Sequence, residues 1–171
     1  MERCEYTKLL DEALQQIPKG AFLMTNQDHN PMTIGWCEFG VVWGKPVCTV
    51  MVRQTRYTHA LIEKGDTFSV CVPAFDTMKQ ELAFCGTKTG CGIDKCAAAG
   101  LEWQKAIAGG ADTVKGCAIH FECRIVFKAE SDLKNMDADI LKRYYNPENQ
   151  KTVDGDPHTI YFGEILAAYR A

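Results

Sequence analysis

Ala118-Ile119-His120-Phe121-Glu122-Cys123-Arg124-Ile125-Val126-Phe127 decides the fold. Ile119, Phe121, Cys123, Ile125 and Phe127 alternate with His120, Glu122 and Arg124. That period of two marks a half-buried antiparallel strand with one wet face. Working outward, residues 158–169 read as a final strand, 66–72 as a strand ended by Pro73, and 46–52 as an apolar strand. Residues 21–26 and 32–37 read as a hairpin around Gln27-Asp28-His29-Asn30-Pro31, a turn rich in residues that close on their own backbone. Leu9, Leu10, Ala13, Leu14 and Ile17 recur at helical spacing over residues 7–17. Shorter helices fall at 57–64, 77–84, 93–99 and 133–145, and residues 149–157 read as loop. Short strands dominate and no strand–helix alternation repeats. The expected fold is mainly β, an antiparallel barrel or sandwich with peripheral helices, in one domain over residues 1–171.

A net charge of −3 provides no global basic field, which argues against nucleic acid or an anionic membrane as partner. No apolar stretch approaches the roughly 20 residues that span a bilayer. The start Met1-Glu2-Arg3-Cys4-Glu5-Tyr6-Thr7-Lys8 has scattered charge and no apolar secretory core. The nine cysteines are therefore expected as thiols in the reducing cytoplasm. Cys48, Cys71 and Cys123 lie in apolar strand-like runs, where a thiol behaves as a small hydrophobe.

Two loops carry the same chemistry. Arg53-Gln54-Thr55-Arg56-Tyr57-Thr58 follows the 46–52 strand, and Cys85-Gly86-Thr87-Lys88-Thr89-Gly90 follows the 77–84 helix. Cations, hydroxyls and glycines at element ends suit a phosphate monoester, with its three acceptor oxygens and near-double charge. Helix capping by Thr55 or Thr58 is the plainer reading of the first loop. Neither GxxxxGK[ST] nor GxGxxG occurs, which disfavours a P-loop or a Rossmann site. In Asn30-Pro31-Met32-Thr33-Ile34-Gly35-Trp36, Gly35 permits close backbone approach and Trp36 supplies an aromatic wall, or else a core aromatic. Cys85, Cys91 and Cys96 lack the C-x2-C knuckle of zinc sites, so no metal is expected. The four histidines are dispersed, and no nucleophile elbow is present.

Taken as an ordered set, Asn30–Trp36, Val42-Trp43-Gly44-Lys45-Pro46, Val52–Thr58, Cys85–Lys88, Asp94-Lys95 and Tyr161-Phe162-Gly163-Glu164-Ile165 resemble the flavin reductase-like proteins of flavoredoxin type. The resemblance runs from about residue 21 to the C-terminus. It implies a split Greek-key β-barrel, a homodimer, and one FMN per subunit near the subunit interface. It implies that Thr33, Trp36, Arg53, Thr55, Arg56, Tyr57, Thr58, Cys85, Gly86, Thr87 and Lys88 hold the cofactor, with Lys95 reaching the phosphate. It also places the last strand beside the flavin, where His158 and Tyr161 would face an incoming nicotinamide; the plainer reading makes His158 a surface residue at a strand start and Tyr161 a packing aromatic. Gln54 departs from the proline expected there, and Cys91 and Cys96 have no family role. The implied function is an FMN-dependent redox protein passing electrons from NAD(P)H or a redox protein to an acceptor. The alternatives are an FMN electron carrier without turnover and a cysteine-based metal or thiol-redox module. Dimer contacts are expected on the polar face of the 118–127 strand and around Ile160, Phe162 and Ile165.

Overall fold

A computed structural model describes residues 2–146 and 155–171. The expected loop at 149–157 therefore falls, up to residue 154, outside the described residues. The strands in chain order are β1 (Glu2–Cys4), β2 (Ala21–Thr25), β3 (Met32–Ile34), β4 (Cys37–Val42), β5 (Lys45–Arg53), β6 (Thr67–Val72), β7 (Trp103–Gln104), β8 (Thr113–Val114), β9 (Ile119–Glu130) and β10 (His158–Arg170). The helices are α1 (Leu10–Gln16), α2 (Tyr57–Ile62), α3 (Lys79–Thr87), α4 (Lys95–Ala98) and α5 (Ala138–Tyr144).

Apart from the small β7–β8 pair, the described strands form one antiparallel sheet in the order β3-β2-β6-β9-β10-β5-β4, with β1 added to β10. β3 and β4 are thus opposite edges, yet only Gly35 and Trp36 separate them in the chain. Three peptide steps reach about 11 Å at most. The sheet must therefore curl until its edges meet, which makes a barrel split at this seam. The same two residues correct the reading of 32–37 as one strand, because the chain leaves one edge there and joins the other. β4 then returns through a two-residue turn whose Trp43 and Gly44 both have positive φ (53° and 70°), the turn that matches strand twist.

Val50, Val52, Phe68, Val70, Phe121, Cys123, Tyr161 and Ile165 fill the interior with Leu23 and Ile34, and Ala13 of α1 joins this core with Leu9 just before the helix. Outside the barrel, β2 and β6 are covered a second time. Phe22, Met24 and Cys71 pack against Leu82 and Cys85 of α3, Cys96 of α4, and Leu101, Val114 and Cys117.

That outer layer overturns the expected wet face of the central strand. His120 and Glu122 are fully buried. The Glu122 carboxylate accepts from the backbone N–H groups of Ile107 (2.7 Å), Ala108 (2.8 Å) and Gly110 (3.2 Å), and from the Tyr169 hydroxyl (2.9 Å). The chain's own 101–117 segment thus supplies the cover expected from a second subunit. The alternation also breaks once. Phe162 pairs with Phe127 but Gly163 with Ile125, so Val126 is an extra residue. The bulge flips Phe127 to the outside, where it is 47% exposed.

All nine cysteines are free thiols, with Cys48, Cys71 and Cys123 buried as read from the sequence. Among the described residues no helix is long and apolar enough to cross a membrane.

Burial pushes the His120 pKa down to about 4 from 6.5, against the pull of neighbouring Glu122. The unfolded chain then binds a proton between pH 6.5 and 4 that the folded chain refuses. Stability from this group is full above pH 6.5 and falls as pH drops towards 4, by up to about 3 kcal/mol at 1.36 kcal/mol per unit. Urea denaturation at pH 7 and pH 4.5 should show this loss, and His120→Leu should flatten it. An unchanged pH slope in the variant would assign the acid sensitivity elsewhere.

Candidate functional site

Two connected clefts open beside the seam. On β5 and β10 the interior-facing residues alternate with Met51, Arg53 and His158, which point outward. The first cleft, about 210 Å³, lies against these three, with Trp36, Gly86 and Tyr144 as further walls. The second, about 140 Å³, is lined by Arg56, Thr58, Lys88, Gly90 and Lys95. Met32, Arg56 and Gly86 border both. Joined, the two reach the lower end of the ligand-pocket range, about 300 Å³.

The first cleft is aromatic. Trp36 stands edge-on to Tyr144 at 5.1 Å and tilts against His158 at 5.1 Å. Thr33 donates to the carbonyl of Leu82 (2.6 Å), fixing β3 to α3, and Gly86 allows α3 to approach Thr33 closely. His158 is buried, with Nδ1 2.8 Å from the Tyr145 hydroxyl. Burial, then Arg53, pushes its pKa down to about 4 although Asp156 opposes. The imidazole is neutral at pH 7.

The second cleft is cationic. Lys95 is 3% exposed and donates to the Cys85 carbonyl at 2.8 Å. Burial lowers its pKa, so the ammonium is held at a cost. Arg56 and Lys88 are exposed and lean on the same space. Among the described residues no carboxylate lines either cleft. Thr58 accepts from Asn30 Nδ2 (2.9 Å), which leaves its own hydroxyl proton for the cleft it lines. Gly90 is required here, since a Cβ would overlap Asn30 Oδ1. Asp94 caps α4 through the Ala97 N–H (3.0 Å), setting where Lys95 begins its turn.

The remaining residues of the expected site also border the clefts, Arg53 the first, Thr55, Tyr57, Cys85 and Thr87 the second and Gly86 both, but several of their polar groups are engaged elsewhere. Arg53 borders the first cleft, but its guanidinium donates to the carbonyls of Tyr144 (2.7 Å) and Asp156 (2.8 Å) and lies 4.0 Å from the Asp156 carboxylate. Thr55 bonds Asp156 through both its N–H (3.1 Å) and its hydroxyl (2.7 Å). The two pin residues 144 and 156 to the barrel, work that loop composition did not reveal. Tyr57 donates outward to Asp28 at 2.7 Å, and α2 starts without a side-chain cap, against the capping reading of Thr55 and Thr58. Cys85, Gly86 and Thr87 belong to the last turn of α3 rather than to a loop, and the Thr87 hydroxyl donates to Ala83 O (2.8 Å).

Tyr161 is a core residue whose hydroxyl donates to Glu63 at 2.7 Å. It stands three residues from His158 on a strand, so the two must face opposite ways. Burial pushes the Cys85 thiol up to about 11, and the cation beside it is Lys95 rather than Lys88. Cys91 is exposed while Cys85 and Cys96 are buried, and among the described residues no cluster of three or more His, Cys, Asp and Glu gathers to hold a metal. Tyr144, Tyr145, Met51 and Asp156 were missed. Only the aromatic pair ending the 133–145 helix offered a signal.

The fold is an antiparallel β-barrel with an aromatic cleft beside a cationic one at its seam. The family model described as flavin reductase like domain matches residues 14–171, and the chain belongs to that family. An uncharacterized protein of Archaeoglobus fulgidus is 26% identical over 137 residues, 80% of this chain, which spans 63% of that relative's length. Flavoredoxin from Methanosarcina acetivorans superposes with a TM-score of 0.66 at 25% identity, covering 89% of this chain and 68% of that one. The NADH:FAD oxidoreductase SgcE6 of Streptomyces globisporus matches in fold, with a TM-score of 0.65 at 17% identity over 100% of this chain and 88% of that one.

Proposed function

We propose that the chain binds FMN and works as a redox protein. The phosphate would lie in the second cleft and the isoalloxazine in the first. One observation carries this reading: Arg56, Lys88 and the buried Lys95 converge, without a carboxylate, on a small cleft continuous with an aromatic one. Three cations and the Thr58 hydroxyl suit the charge and acceptor oxygens of a phosphate monoester. Met51, Trp36 and Gly86 are walls of a space for a ring system, with Arg53, Arg56 and His158 as its polar lining.

FMN, when bound, supplies reversible one- or two-electron chemistry, and the protein orients it. Trp36 and Tyr144 shield one side of the cleft, and His158 offers its rim a neutral imidazole. The electron source in this reading is NAD(P)H. An FMN carrier without turnover is the second reading, favoured by the likeness to a flavoredoxin. Nine free thiols suit the cytoplasm. The exposed Trp43 and Phe127, grouped with Phe162 at ring distances of 5.5–6.1 Å, suit a homodimer contact.

The purified protein is expected to be yellow, with one FMN per chain, to sediment as a dimer, and to bleach within seconds on anaerobic mixing with NADH or NADPH. Stoichiometric FMN without bleaching would select the carrier. Failure to retain or rebind FMN would remove the proposal.

A further inference from the structure

We propose that Tyr145 is a positioning residue for His158, holding that imidazole as its Nε2–H tautomer so that the first cleft presents one N–H donor to a carbonyl-type acceptor such as a carboxamide. The proposal rests on the reading of this cleft as the flavin and donor site.

Both side chains are sequestered, Tyr145 at 4% and His158 at 5% exposure. Their rings meet edge-on at 5.5 Å with the hydroxyl 2.8 Å from Nδ1. Tyr145 is itself held in place. Arg53 lies over its ring at 5.1 Å while bonding the adjacent Tyr144 carbonyl, and the Tyr145 N–H donates to Leu141 O (2.9 Å). The charged groups around His158 are Arg53 and Arg56, which disfavour a second ring proton, and Asp156, which favours one. Burial decides for the neutral ring.

A neutral imidazole carries one N–H, and the nitrogen that accepts determines where that proton sits. Burial also keeps the Tyr145 phenol protonated; Ser131 reaches the same oxygen and lowers its pKa, as a donor does, which leaves the phenol proton for Nδ1. With the phenol donating to Nδ1, the ring proton resides on Nε2. His158 lines the first cleft, and in this proposal Nε2, the ring nitrogen not taken by Tyr145, is the donor it presents there. Such a rim selects for an acceptor oxygen on the incoming molecule and does no acid–base work at neutral pH.

The test uses the full chain labelled with 15N-histidine, with His158→Gln identifying the His158 resonances. Long-range 1H–15N spectra at pH 7 should show Nε2 protonated and Nδ1 as a hydrogen-bonded acceptor. In Tyr145→Phe the Nδ1 resonance should move to that of an acceptor without a donor, with FMN affinity within twofold of the parent. Nδ1 protonated in the parent protein, or an unmoved His158 spectrum in Tyr145→Phe, overturns the proposal. The parent spectrum is decisive even where the variant does not fold.

In anaerobic flavin reduction, Tyr145→Phe should raise the KM for the nicotinamide donor about fivefold. His158→Ala should raise it more than His158→Gln, which retains an N–H near the Nε2 position. Equal KM values across the three variants would reject the acceptor-selecting role. Absence of FMN or of NADH oxidation altogether would instead count against the function proposed above and leave the tautomer result standing.

Discussion

Lys95→Met is expected to weaken FMN binding about 50-fold or more while leaving the apo-protein as stable as before, or more so. The ammonium is buried against the Cys85 carbonyl and two thiols, with desolvation pulling its pKa down. A buried cation short of partners costs folding free energy. A phosphate would return it as a charge-assisted hydrogen bond contributing about 1.5–3 kcal/mol, before any gain from the dry surroundings. At 1.4 kcal/mol per decade this is one to two orders of magnitude in Kd. Arg56→Ala, removing an exposed cation, should cost about tenfold, since solvent screens it. Flavin titration together with urea denaturation of the apo-protein checks both halves. A Lys95→Met protein that binds FMN normally, or that loses stability without gaining a binding defect, would make Lys95 a structural residue.

Glu122→Leu is expected to lose roughly 4 kcal/mol of stability or more. The substitution keeps the volume approximately but strands three backbone N–H groups and the Tyr169 hydroxyl in a dry interior. Each unsatisfied buried donor costs about 1–3 kcal/mol. Even partial relaxation of the 106–110 loop leaves a loss that is a large share of a typical net stability of about 5–15 kcal/mol. Glu122→Gln should fall between, because its carboxamide keeps one acceptor oxygen but turns an NH2 towards a donor. Urea midpoints with unchanged m-values give the comparison. A loss below 1 kcal/mol in Glu122→Leu would mean that the loop is held by other contacts.

Arg56 and Lys88 were legible because they combine cations with hydroxyls and glycines at element ends, a local pattern, whereas Lys95 was implied only by the family resemblance. Arg53 belongs to the same string of residues, yet its guanidinium serves the carbonyls of Tyr144 and Asp156. Nothing within residues 53–58 indicates that Asp156 will arrive beside Thr55, about a hundred residues away in sequence. For Tyr161 the packing-aromatic reading is the one the structure bears out, and strand parity alone separates it from His158.

The order and type of the main strands were set by the sequence itself, since side-chain alternation and turn residues act over a few positions, where backbone sterics and local burial dominate. β4, with its glycine and exposed positions, was the strand too weakly patterned to read. Tertiary structure alone decided which faces stay dry. His120 and Glu122 look like solvent-facing residues until the 101–117 segment folds over them. Burial is a property of what lands on a residue, not of the residue's neighbours in the chain. The cleft follows the same logic, because it exists only where the curled sheet brings β3 and β4 together at Gly35 and Trp36 and the 144 and 156 backbones are pinned against Arg53.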